Sequence, residues 1–494
     1  MNTSVPKRIV IAGGGTAGWV AAAALSTQLG KLAKITLVES SDIGTVGVGE
    51  ATIPTITTFH HLLGIDEQAF MKATRATFKL GISFENWGAV GDSYIHSFGQ
   101  IGKPTWMGEF HNIWLEAQKE GLGGPLENYC FELQAAKAEK FAISEKLRLN
   151  YAYHLDAKAY ASFLRELSEK HGVTRIEGKI AEVSQNSETG NIAALLLEDG
   201  QQVEGDLFVD CTGFRGLLIE KTLGVGYQDW SEWLPTNSAL AIQTEAVRDA
   251  RPYTRAVAHE AGWRWQIPLQ HRVGNGLVYD NHHLSDEEAQ DLLMQSIEGK
   301  PLTDPLPIRY TTGMRERVWE KNCIALGLST GFVEPLESTS IHLFMIGITR
   351  LIQLFPFGET SEAVRKRYND MAVNELERVR DFIILHYHAT EREDSAFWRQ
   401  CRNMDIPDTL KERIELFCEY GHAYQAPDDL FRVDSWVQVM FGQRLRPKAH
   451  HLMGRVMDKD QIRQVMTGLD ANIRNAVERM PTHQAFLEKY CPIN

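Results

Sequence analysis

Residues 7 to 19, Lys-Arg-Ile-Val-Ile-Ala-Gly-Gly-Gly-Thr-Ala-Gly-Trp, place glycines at 13, 15 and 18 directly after a β-branched run. Ile9 to Ile11 predicts a buried strand and Ala17 to Leu25 a helix, so the glycines occupy a tight turn that opens a helix N-terminus. Gly13 permits the turn, Gly15 leaves room for a pyrophosphate against the backbone, and Gly18 lets the helix pack closely on the sheet. Thr16 and Ala17 complete the helix start on which that anion would rest. A second apolar run, Ile35 to Val38, ends in Glu39, placed as a carboxylate that accepts hydrogen bonds from a ribose. The prediction is a dinucleotide-binding fold.

The chain after Glu39 stays rich in glycine. In Asp42-Ile-Gly-Thr-Val-Gly-Val-Gly-Glu-Ala-Thr-Ile-Pro54 the backbone can fold tightly and present N–H groups around Val48, Gly49 and Ala51 to a ligand. Thr55 to Leu63 and Asp66 to Thr74 predict helices. Lys79 stands between Phe78 and Leu80 in a segment with few other charges; alone, such a lysine reads first as a snorkelling surface residue. His96 and Phe98 alternate on a predicted strand and share a face, which by itself makes them core or half-core residues. Residues 106 to 170 predict mostly helix, the last from Lys158 to His171. Val173 to Phe208 then alternates, with turns at Thr189-Gly190 and Asp199-Gly200, so strands in hairpins follow. They lead to Val209-Asp-Cys-Thr-Gly213, a second glycine turn. A dinucleotide fold interrupted by a β-meander is the layout of two-domain flavoproteins of the hydroxylase type, which favours FAD over NAD.

Further strands are predicted at Ser238 to Glu245, Gly262 to Pro268 and Val273 to Tyr279, with Gly274-Asn275-Gly276 as a hairpin turn. Asn322 to Gly331 is a third strand-to-glycine segment, placing Leu328 and Gly331 beside the cofactor. In the stretch from Phe332 to Ser340, Pro335 fits the first turn of a helix ending near Phe355, with Glu337 as an acid in that turn. From Ser361 the chain predicts helix to its end. The expected fold class is α/β: a FAD-binding GxGxxG fold of the glutathione-reductase and hydroxylase kind with an inserted β-sheet, residues 1–355. A mostly helical C-terminal subdomain or lid, residues 356–494, follows without an independent linker.

The formal charge of −13 over 494 residues argues against a nucleic-acid partner or an anionic membrane surface. No apolar run spans a bilayer, and no signal-peptide pattern precedes the first strand. Six cysteines are scattered without CxxC spacing, which reads as reduced thiols in a cytoplasmic protein; no metal site is expected.

Trp263-Arg-Trp265-Gln-Ile267-Pro268 is a WxWxIP pattern, and with GxGxxG it resembles the flavin-dependent halogenases of the tryptophan-halogenase type. The likeness runs from Gly13 to about Tyr387, through Gly47 to Pro54, Thr77-Phe-Lys79, Cys211 to Gly216, Phe332 to Thr339 and Arg380 to Tyr387. The resemblance implies FAD, as FADH2, with O2 and chloride or bromide as co-substrates. It implies a hypohalous acid that passes through a tunnel to an electron-rich aromatic. It implies Lys79 and Glu337 as catalytic residues, halide contacts at Thr339 and Ser340, and His96, Phe98 and Trp436 as plates for the aromatic ring. Trp263 and Trp265, with Ile267 and Pro268, would sit near the flavin and disfavour direct oxygen transfer to the organic substrate.

The chemistry asks for those residue types. Hypohalous acid is a small neutral oxidant that must be polarised at a fixed point. An ammonium in an apolar pocket can donate a hydrogen bond to it, or as a free amine form a haloamine. A carboxylate can position the oxidant or take the proton lost when the ring regains aromaticity. Stacking plates hold that ring flat. No second GxGxxG is placed for NADPH, so a separate flavin reductase would supply FADH2; a homodimer is the assembly assumed.

Two departures from the family pattern matter. Ser340 stands where tryptophan-specific members carry glycine, which alters the halide pocket. Upstream of Trp436, Phe431 falls where a glutamate would grip the amino acid, and no tyrosine pair precedes it. The expected substrate is an indole or another electron-rich aromatic rather than free tryptophan. The competing readings are a flavin aromatic monooxygenase, which has no use for Lys79 or the paired tryptophans, and a non-catalytic flavin-binding partner protein.

Overall fold

The computed structural model describes residues 7–43, 49–105, 108–143 and 149–492. The chain forms two compact units, each assembled from three stretches: Met1–Ala76, Leu155–Ser231 and Tyr310–Glu377 in the first, and Thr77–His154, Glu232–Arg309 and Arg378–Asn494 in the second.

The first unit is organised by a six-stranded sheet in the order Trp319–Glu320, Cys323–Ala325, Leu207–Asp210, Lys7–Ala12, Ala33–Glu39, Thr174–Glu177. All neighbours run parallel except the first pair. Parallel strands covered on both faces need continuous apolar runs, and Ile9, Val10, Ile11 and Ala12 are all buried. Between Thr174–Glu177 and Leu207–Asp210 the chain leaves this sheet for a three-stranded antiparallel one. Its two turns carry Gly190 (φ +71°) and Gly200 (φ +88°), at the two sites predicted.

The second unit holds a seven-stranded sheet in the order Leu306–Arg309, Ser238–Thr244, Val273–Tyr279, Gly262–Pro268, Thr254–His259, Gly81–Glu85, Ser93–Ser97. It is antiparallel apart from Thr254–His259 on Gly81–Glu85. The C-terminal region is helical, beginning with Glu362–His388 and ending with His483–Tyr490. Among the described residues no helix is long and apolar enough to cross a membrane.

Two sequence expectations are corrected, and one segment ahead of a predicted helix proves to be a strand. Gly274-Asn275-Gly276 is not a turn; it lies inside the strand Val273–Tyr279, and the hairpin closes earlier, where Leu269 N–H bonds the Arg272 carbonyl at 2.9 Å. The glycine is demanded by packing, because a Cβ on Gly276 would fall 1.9 Å from the Trp265 ring. The helix expected from Pro335 begins only at Ser340 and ends at Gln353. Glu334 (φ +63°) and Ser338 (φ +59°) take the left-handed conformation, so the chain reverses twice before it can coil, and Glu337 lies in a buried turn rather than in the helix. Within 106–170, Ala152–Asp156 is a strand paired with Thr77–Lys79, and the next helix starts at Ala157 because Asp156 caps Ala159 N–H at 2.9 Å.

Candidate functional site

The first unit presents a glycine-lined cradle where the strand Lys7–Ala12 meets the helix Thr16–Leu29. Gly13 has φ +110°, and a Cβ there would lie 2.3 Å from the Cys211 carbonyl oxygen. At Gly18 a Cβ would lie 1.9 Å from the Gly13 oxygen, which is the close helix-on-strand approach predicted. Gly15 differs: among the described residues, a Cβ there meets nothing within 4 Å. It is also the N-cap residue of Thr16–Leu29, and no side chain caps that end. Open space over uncapped N–H groups at the positive end of a 14-residue helix suits a pyrophosphate.

The Glu39 carboxylate lies over Gly14, where a Cβ would sit 1.6 Å from its Oε2. Arg175 is ion-paired to Oε1, and the Trp19 ring N–H donates to Oε2 at 3.2 Å. Gly14, the middle glycine of the run, is thus required too, for a reason no motif spacing announces. Two carboxylate oxygens with about four lone-pair directions leave acceptor capacity for a ribose. Gly49 and Ala51 are buried in the strand Gly49–Ala51, while Val48 lies outside the described residues. Glu50, between them, has its carboxyl pushed up to about 7 by burial.

The second glycine turn is organised by Asp210, which sequence reading missed. Its buried carboxylate accepts from Thr212 N–H (2.9 Å), the Thr212 hydroxyl (2.7 Å), Leu218 N–H (2.8 Å) and Ile219 N–H (2.9 Å). Ser329 Oγ is 3.1 Å from Asp210 Oδ1 and 3.0 Å from the Gly213 oxygen, tying the third glycine segment to the second. Gly213 (φ +72°) faces open space. Leu328, Gly331 and Ser340 line one cavity, with about 540 Å³ of empty space including its mouth. Beside it, Thr339 is fully buried, at the N-cap of a helix without a side-chain cap, and its hydroxyl has no hydrogen-bond partner among the described residues. An orphaned hydroxyl at an uncapped helix start fits a small anion.

The second unit carries Lys79, His96, Phe98, Trp263, Trp265 and Trp436; Glu337, 1 % exposed, belongs to the first. Lys79 is fully buried, and its Nζ lies over the Phe98 ring, 5.3 Å from the centroid. His96, on Ser93–Ser97, packs near Phe382 (5.5 Å) and Phe431 (6.1 Å). Phe382 stacks on Phe431 at 3.7 Å and 15°, and meets Trp436 edge-on at 4.8 Å. One face of Trp436 carries the Arg413 guanidinium at 4.3 Å, and Arg413 is ion-paired to the buried Asp429. Trp263, Trp265 and Ile267 are buried on one face of their strand, and the two tryptophan rings lie 6.1 Å apart. Pro268 ends that strand half-buried, and its carbonyl accepts from the Thr77 hydroxyl at 2.7 Å.

Gln438 joins the aromatic residues, and its role has no sequence signature. On the helix Val433–Gly442, its side-chain oxygen accepts from Ser97 N–H (3.0 Å) and the Ser97 hydroxyl (2.9 Å), while its amide donates to the Ser97 carbonyl (3.2 Å). Ser97 sits between His96 and Phe98, so this clamp fixes the helix of Trp436 against the strand of His96.

The tryptophan halogenase pattern matches residues 8–459. The chain belongs to that family. It is 38% identical over 443 residues to tryptophan 6-halogenase SttH of Streptomyces toxytricini, covering 84% of each chain. A solved flavin-dependent halogenase from Xanthomonas campestris superposes with a TM-score of 0.97 at 52% identity, over 99% of each chain. BrvH, a flavin-dependent halogenase from Brevundimonas sp. BAL3, gives 0.95 at 43% identity, again over 99% of each. This flavin-dependent halogenase therefore uses FADH2, O2 and a halide, and the open Gly15 cradle and the orphaned Thr339 hydroxyl are compatible with a dinucleotide and an anion respectively.

Proposed function

We propose that this halogenase acts on an indole or another electron-rich aromatic without an amino-acid tail, and that free L-tryptophan is a poor substrate. Phe431 carries the reading. It fills the position expected of a tether carboxylate with a buried ring stacked on Phe382. The nearby Arg413 and Asp429 are already committed to each other. The ammonium and carboxylate of free tryptophan would thus be desolvated against an apolar wall, at a cost of about 1–3 kcal/mol for each unpaired group.

When bound, FADH2 would supply the two electrons that activate O2, and O2 would supply the oxidising equivalents that convert halide to hypohalous acid, its second oxygen leaving as water. Gly13, Gly15, Thr16, Ala17 and Gly18 seat the cofactor's pyrophosphate, Glu39 its ribose, and the segments around Val48 to Ala51, Gly213 and Leu328 to Gly331 its remainder. Thr339 and Ser340 hold the halide. Lys79 polarises the hypohalous acid or captures it as a haloamine, Glu337 takes the proton the ring loses, and His96, Phe98 and Trp436 hold the ring. Trp263 and Trp265 keep oxygen transfer away from the substrate. A separate flavin reductase supplies FADH2. Six cysteines without disulfides suit a reducing compartment, the cytoplasm, and a homodimer is the assembly we assign.

The test is mass spectrometry of products from the enzyme with FAD, a flavin reductase, NADH, O2 and bromide or chloride, across indoles, phenols and L-tryptophan. Halogenated indole is expected with a kcat/KM at least about tenfold above that for L-tryptophan, as one unpaired buried ionic group alone would impose. Turnover of free L-tryptophan as fast and tight as that of indole would overturn the substrate assignment.

The Gln438 clamp gives a second expectation. Gln438→Met keeps the side-chain length and removes the three hydrogen bonds to Ser97, with a fourth to the Asp434 carbonyl, so buried Ser97 groups lose those partners. The KM for the aromatic substrate should rise about tenfold, with little change in flavin oxidation. Steady-state kinetics with indole varied and FADH2 saturating checks this.

A further inference from the structure

We infer that His483, the first residue of the C-terminal helix His483–Tyr490, is a positioning residue for Lys79, holding the strand that carries it. The inference rests on the reading of Lys79 as the group that handles hypohalous acid. Thr77–Lys79 is only three residues long and lies at a sheet edge, paired with Ala152–Asp156 through Thr77↔His154, Phe78↔Tyr153 and Lys79↔Ala152. So short an edge strand has few ladder bonds of its own to fix the direction of a buried side chain.

Two imidazoles supply what the ladder lacks. His483 Nε2 accepts the Phe78 N–H at 3.1 Å, one residue before Lys79, and its Nδ1 donates to the Ala250 carbonyl at 2.7 Å. One acceptor and one donor are available together only in the neutral Nδ1–H tautomer. His483 is 1 % exposed, and burial lowers its pKa to about 4, so that form persists at working pH. On the other side of Phe78, the Thr77 hydroxyl spends its proton on the Pro268 carbonyl (2.7 Å), so His154 Nδ1 must donate to Thr77 Oγ1 (2.9 Å). His154 Nε2 then accepts from the Thr254 hydroxyl at 2.9 Å. Burial first, then the Lys79 charge, holds the His154 pKa well down, so neither ring adds a cation beside the ammonium.

The start of the C-terminal helix is itself anchored. His483 N–H bonds the Glu139 carbonyl at 2.9 Å, and next to Glu139, Lys140 Nζ donates to the Glu478 carbonyl at 2.8 Å, at the end of the preceding helix Lys459–Glu478. The Phe78 ring stacks on Phe141 at 4.0 Å and packs against Phe486 (5.6 Å) and Tyr490 (5.9 Å) of the C-terminal helix. Displacing a reacting group by about 1 Å costs on the order of 100-fold in rate, so a backbone hydrogen bond adjacent to Lys79 has catalytic weight.

The experiment compares full-length wild type, His483→Phe, His483→Gln and Lys79→Ala with flavin reductase, indole and bromide. It reads three quantities: flavin oxidised, brominated indole formed, and hypobromous acid escaping to a diketone trap in solution. His483→Phe is expected to oxidise flavin at the wild-type rate while brominated indole per flavin falls about tenfold or more, the missing equivalents reaching the trap. His483→Gln, whose amide offers an acceptor and a donor, should restore most of the coupling. Should the phenylalanine variant fail to fold, His483→Asn, which keeps the donor toward Ala250 but is too short for Phe78, is read instead with the same expectation. Exchange of the Phe78 amide proton, faster in the impaired variant and normal in His483→Gln, supplies a readout independent of turnover. Unchanged coupling in the impaired variant, or product and flavin oxidation falling together, would overturn the inference. If Lys79→Ala also keeps its coupling, the reading of Lys79 fails instead.

Discussion

Replacing Lys79 by alanine is expected to leave a folded protein that binds and oxidises flavin, yet halogenates at least about 100-fold more slowly. The expectation rests on where the ammonium lies. Lys79 is fully buried, so its charge is not the solvated surface charge that an isolated lysine in such a segment suggests. Its Nζ sits over the Phe98 ring, and Phe98 shares its strand region with His96, so the cation is fixed beside the aromatic residues. Removing one preorganised donor from a dry site costs about 10²–10³ in rate, far more than an exposed charge is worth. Lys79→Arg should not rescue, because a planar guanidinium is longer, cannot form a haloamine at working pH, and does not fit a pocket packed for a slender stem. Product mass spectrometry beside an oxygen-uptake trace decides it. Halogenation persisting within tenfold of wild type would remove Lys79 from the chemistry.

Gly15→Val is expected to weaken FAD binding about 100-fold, on the order of 2.7 kcal/mol, while the thermal midpoint of the flavin-free protein stays within a few degrees of wild type. Gly15 has φ −72° and ψ −174°, a conformation valine adopts readily, and among the described residues nothing lies within 4 Å of the Cβ it would carry. The added side chain would enter the space at the uncapped start of the following helix. Gly13 and Gly18 cannot give so clean a result, since side chains there collide with backbone oxygens at 2.3 and 1.9 Å. Flavin fluorescence titration and a melting curve on the same sample separate the two effects. Unchanged affinity would mean that the pyrophosphate does not rest on this turn.

Much of the cofactor half was legible in the chain because its demands are local. A turn that needs left-handed backbone at Gly190 and Gly200 announces itself through residue type, as does a strand that breaks into glycines before a helix. The same logic misread Gly274 to Gly276, since a glycine required by the overlying Trp265 ring looks identical, in sequence, to one required by a turn. It also placed Glu337 in a helix that the left-handed Glu334 and Ser338 postpone, because non-glycine residues give no warning of that conformation.

By itself, then, the sequence determined the element types of the half built on the glycine turns and the chemical types of the residues from which a halogenation site was expected. These follow from backbone preference, periodicity and chemical type, which act over a few residues. Tertiary structure decided that Lys79 is buried over Phe98, that Phe431 stacks on Phe382, that Glu39 covers Gly14, and that Gln438 and His483 hold Ser97 and Phe78. Those partners lie between 19 and 405 positions apart in the chain. No spacing rule joins them; only the packing of buried groups that must each find a hydrogen-bond partner or an apolar neighbour does.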